Sequence, residues 1–60
     1  MTASEELGLW QKWVLLITCD QLKMPPITGH EWDALMRSWH PGKMPLDSVN
    51  ELTTMREQTP

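Results

Sequence analysis

Prolines set the first limit on this chain, because Pro25-Pro26, Pro41-Gly42 and Pro45 cut its 60 residues into three pieces. A proline ring fixes its own φ, lacks an N–H donor and drives the preceding residue out of the helical region. No regular element runs through these breaks. Residues 2–23, 28–40 and 47–58 must therefore each form an element of their own, and the first is too long for an ordinary strand.

Segment one opens with Thr2, Ser4, Glu5 and Glu6, which offer a capping hydroxyl and negative charge to a helix N-terminus. Trp10, Trp13, Val14 and Ile17 follow at i, i+3, i+4 and i+7, one face of a helix. Leu9 and Leu16 flank that stripe, while Leu15 and Leu22 fall elsewhere on the circumference. The competing reading is a buried strand through residues 13–18, where aromatic and β-branched side chains cluster. Helix prevails, because Glu, Gln, Lys and Leu surround the run. A helix apolar over so much of its girth needs cover on more than one side.

Segment two carries a capping box, with Thr28 and Glu31 three residues apart, and a hydrophobic staple formed by Ile27 and Trp32 around it. Trp32, Leu35, Met36 and Trp39 make one apolar stripe, and Asp33 with Arg37 forms an i,i+4 pair on the solvent side. His40-Pro41-Gly42 ends it. Segment three repeats this pattern, with Ser48 and Glu51 as a second capping box and Leu46, Val49, Leu52 and Met55 as apolar contacts. The expectation is an all-α fold, a small bundle or hairpin of one long and two short helices at about residues 4–23, 29–40 and 48–57. It forms a single domain over residues 1–60 with a frayed C-terminus. The expected core is Trp32, Leu35, Met36, Trp39, Val49 and Leu52.

A domain of this size buries only about 60% of the surface its unfolded chain exposes, so it usually draws on a disulfide, a metal or a partner subunit. One cysteine, Cys19, excludes an internal disulfide. Cys19 is expected as a small, partly buried hydrophobe, since no cation within one helical turn favours its thiolate. His30 and His40 lie ten residues apart, about 15 Å along a helix, and cannot share one metal in a monomer. No CxxC, HxxxH or HExxH spacing occurs, and Gly8, Gly29 and Gly42 are isolated, so neither a zinc site nor a phosphate loop is expected. The carboxylates stand at caps or on polar faces, apart from Asp20 on the flank of the apolar stripe, where a salt bridge or subunit contact explains it. No catalytic residue, metal or cofactor is expected.

A partner subunit is the remaining means of support. Four tryptophans and five methionines, with no tyrosine or phenylalanine, supply large and pliable contact surface. Leu9, Trp10, Trp13, Leu16 and Ile17 are the expected interface, giving a homo-oligomer, with a dimer favoured, that presents a surface to a larger protein partner. The reading is a non-enzymatic interaction or regulatory accessory module. The alternative is a small helix-turn-helix regulator with segment three as its recognition helix. Nucleic acid is not the expected partner, since the net charge is −3 and Lys12, Lys23, Arg37, Lys43 and Arg56 are scattered. Glu5 and Glu6 stand where a secretion signal needs basic residues, and the longest apolar run, residues 13–17, is far short of a membrane span, which makes a cytoplasmic protein the expectation.

Overall fold

The structure, a computed structural model, describes residues 2–58. Among them it contains three α-helices and no strand: α1 (Ala3–Leu15), continued by a π-helical segment (Leu16–Gln21), then α2 (Gly29–Ser38) and α3 (Pro45–Gln58). None of these helices is long and apolar enough to cross a membrane.

Thr2 starts α1, its hydroxyl accepting the Glu5 N–H at 3.2 Å. The regular helix expected over 4–23 stops at Leu15 and widens. At this point Thr18, buried and β-branched, donates its hydroxyl to the carbonyls of Val14 (2.9 Å) and Leu15 (3.3 Å). The ladder slips to a wider spacing, seen in the Leu22 N–H to Ile17 C=O bond of 2.9 Å. Lys23 then takes the left-handed conformation, φ 53°, that glycine adopts more cheaply, and the Met24 N–H closes the end on the Thr18 carbonyl at 2.8 Å. Met24 turns back onto the core.

The capping box of α2 is complete: Glu31 N–H donates to Thr28 Oγ1 (3.2 Å) and Thr28 N–H to Glu31 Oε1 (3.0 Å). This helix ends at Ser38 rather than at residue 40, because the backbone of Trp39 is already extended (ψ 145°). The Ser38 carbonyl left over by that ending accepts from Lys43 Nζ at 3.0 Å. His40 to Lys43 form a turn closed by the Lys43 N–H to His40 C=O bond (3.0 Å). Pro41 and Gly42 (φ 89°) occupy the two central positions that suit them in a type II turn. The Gly42 N–H donates to the Glu6 carboxylate and ties this turn to the start of α1.

The third helix begins earlier than expected, at Pro45 rather than Ser48. Proline is well placed at a first helical position, where an N–H has no intrahelical acceptor anyway. Ser48 is consequently no cap. It lies inside the helix, fully buried, and accepts the indole N–H of Trp10 at 2.7 Å. Leu46, expected as an apolar contact, stands 55% exposed.

Both other helical stretches pack on α3. Trp10, Val14, Leu35, Val49 and Leu52 form the buried core, with Leu7, Ile17, Met24, Ile27, Trp32, Trp39 and Met55 partly buried against it. Trp10 is the hub. Its ring meets Trp32 edge-on at 6.0 Å and Trp39 at 6.2 Å with a 49° tilt, which joins α1 to both ends of α2.

Candidate interaction surface

Residues three apart on a helix differ by about 60° around its axis, so of two neighbouring tryptophans one can face the core while the other stands at its margin. In α1 they do so. Trp10 is 2% exposed and Trp13 is 50% exposed. The core of this protein lies on one side of α1, and Trp13 stands at the margin of the other.

The uncovered side forms a shallow surface lined by Leu9, Lys12, Trp13, Leu16, Cys19 and Asp20. Leu9 (43%), Trp13 and Leu16 (37%) are its apolar floor. Trp13 also borders a second apolar depression, where Ile17 meets Met44, Pro45 and Leu46. Among the described residues no other element lines the first surface, and α3 borders the second at its first residues, Pro45 and Leu46.

The expected interface residues are thus divided. Leu9, Trp13 and Leu16 face outward, Ile17 is half-buried against the core at the edge, and Trp10 is inside, so Trp10 drops out of any surface role. A sequence stripe at i, i+3, i+4, i+7 fixes which residues are adjacent but not which edge of the stripe meets the core. The expected core divides as well. Leu35, Val49 and Leu52 are buried, Trp32 and Trp39 are half-buried against them, and Met36 is 43% exposed, with the Gln11 amide 3.7 Å from its sulfur. Cys19, expected as partly buried, is exposed on the outward surface.

The strongest polar features are structural. Arg56 holds Glu31 in a two-pronged pair, Nε to Oε2 at 2.8 Å and Nη2 to Oε1 at 3.0 Å, and its Nη2 also donates to the Pro26 carbonyl at 3.1 Å. The Arg56 hydrogen bonds, with the Thr28 N–H second, bring the Glu31 carboxyl down from its ordinary 4.5 to about 2, outweighing partial burial, which acts the other way. Glu31 therefore caps α2 and anchors α3 with one carboxylate. Lys43 is ion-paired with Glu51 and also donates to Ser38 Oγ at 3.1 Å, so it ties the α2–α3 turn to α3. Arg37 pairs with Asp33 at 3.1 Å on the open surface. Sequence spacing gave no sign of the Glu31–Arg56 pair, since 25 residues separate its members.

Three of the five cations are thus engaged by carboxylates. Among the described residues no three His, Cys, Asp or Glu side chains converge as metal donors would. His30 and His40 are exposed at opposite ends of α2, and His40 Nδ1 lies 3.0 Å from the Pro41 carbonyl. Comparison with protein-family models, with curated proteins and with solved structures finds no match for the chain.

Proposed function

We propose that this protein is a non-enzymatic interaction module that self-associates through the outward face of α1. One observation carries the reading: Leu9, Trp13 and Leu16 remain exposed on a helix whose opposite face is already satisfied by the core. Exposed apolar residues that adjoin one another mark interaction sites in small proteins, whereas single ones need no explanation. A standard interface takes about 800 Å² from each partner, roughly a fifth of this chain's 4270 Å² surface.

The helix-turn-helix alternative has less support from the charges of α3. Arg56 and Lys43, the cations that α3 and its leading turn would need for phosphate, are held by Glu31 and Glu51. A surface presented to a larger protein partner remains compatible with a dimer, since α2 and the outer side of α3 lie away from the proposed contact.

The thermal midpoint tests the reading. Association that accompanies folding makes the midpoint rise with protein concentration, by mass action. The expected result is a rise of several degrees from micromolar to hundreds of micromolar protein, abolished by Trp13→Ala. A midpoint independent of concentration contradicts it.

A further inference from the structure

Self-association through one helix face requires a register, and the geometry points to an antiparallel α1 pair about a two-fold axis at Leu16, in which Lys12 of each copy meets Asp20 of the other. This rests on the self-association reading and adds its register and charge code. Lys12 and Asp20 are both exposed, line the same outward surface and bracket Leu16 by four residues on each side. Among the described residues neither side chain has an ion-pair or hydrogen-bond partner, in contrast to Arg37, Lys43 and Arg56. In a two-fold interface a contact of residue i with j is repeated as j with i. Opposite charges equally spaced about an apolar centre are complementary to a second copy of themselves, and to nothing in the monomer.

The π-helical segment favours this alignment. In an unbroken α-helix, positions i, i+4 and i+8 drift around the axis by about 40° per step. From Leu16 onward the wider turn rotates each residue less, which swings Asp20 back into line with Lys12 and Leu16. The same axis places Trp13 opposite the partner's Cys19. The rival charge pairing, Glu5 with Lys12, centres the axis near Gly8 and Leu9 and sets Trp13 against Ser4, which forfeits the largest apolar side chain. An axis between Lys12 and Trp13, near the middle of the whole helical stretch from Ala3 to Gln21, sets Glu5 against Asp20, two like charges.

The test uses the full chain with Lys12→Asp, Asp20→Lys and both together. Each single reversal should weaken dimerisation about tenfold or more at low salt, because symmetry makes every dimer carry two repulsive pairs. The double reversal should restore it, and mixing the two single variants should yield a heterodimer. A cross-link gives an independent readout. Leu16→Cys in a Cys19→Ser background should oxidise readily to a disulfide-linked dimer, whereas the wild-type Cys19 pair, set about 9 Å apart along the helix axis, should not. A wild-type dimer whose strength is unmoved by either reversal, or that cross-links through Cys19 but not at position 16, overturns the register while leaving self-association standing. A wild type that is monomeric throughout overturns both.

Discussion

Trp10 and Trp13 are separated by two residues and one helical turn, yet they belong to different physical problems. Trp10 is enclosed by Trp32 and Trp39, gives its indole N–H to Ser48 and has almost no contact with water. Trp13 keeps half its surface in solvent beside Leu9 and Leu16. The inward face of α1 makes the monomer. The outward face, in the proposed account, makes the assembly. A 60-residue chain with one small core gains from covering a second face, since its folding free energy is only about 3–9 kcal/mol at ordinary values per residue.

The comparison breaks most decisively at its inward end. Trp10→Ala removes the hub and leaves the buried Ser48 hydroxyl without its donor, at an expected cost of about 3–5 kcal/mol, comparable with the whole stability. Its circular dichroism at neutral pH should be that of a largely unfolded chain, and a cooperative melt close to wild type would show that the core does not depend on this ring.

Acid probes the same inward side through Glu31. Its folded pKa of about 2 lies below the ordinary 4.5, so the pair's contribution is complete above about pH 5 and disappears as pH falls toward 2. Because both side chains keep some contact with water, the expected loss is about 1–3 kcal/mol. Glu31→Gln should lose a similar amount at pH 7 and flatten the stability profile between pH 5 and 2. A variant with the wild-type acid profile would remove Glu31 from that role.

Trp13→Ala is the outward counterpart. In dilute, monomeric solution it should cost only about 1 kcal/mol, as expected for a half-exposed ring, while association is lost. A loss as large as that of Trp10→Ala under those conditions would erase the distinction between the two faces. The smallest expected effect lies where both faces end. Lys23→Gly relieves the left-handed conformation and should stabilise the monomer by about 0.5–1 kcal/mol without altering the association constant. A change in association would mean that the backbone at Lys23 helps to shape the outward surface.

These elements also mark what could be read from residues alone. The three segments and the Thr28–Glu31 cap were legible because proline and capping chemistry act locally. The Ser48–Glu51 box was misleading for the same reason: its spacing is right, but Pro45 starts the helix first and packing claims Ser48 for Trp10. The π-helical segment has no signature in the residue spacing, and the Glu31–Arg56 pair depends on two helices meeting. The division of the apolar girdle between Trp10 and Trp13 was the least legible feature, because it is decided by where α3 docks.

Sedimentation equilibrium of the wild type beside Leu16→Glu tests the central claim most directly, since Leu16 is exposed at the centre of the outward face and absent from the core. The account predicts a wild-type mass that climbs from 7.0 kDa toward about twice that value with concentration, and a Leu16→Glu variant that stays at 7.0 kDa with an unchanged helical spectrum. A wild type fixed at 7.0 kDa at every concentration, or a Leu16→Glu variant that associates as tightly as the wild type, would contradict it.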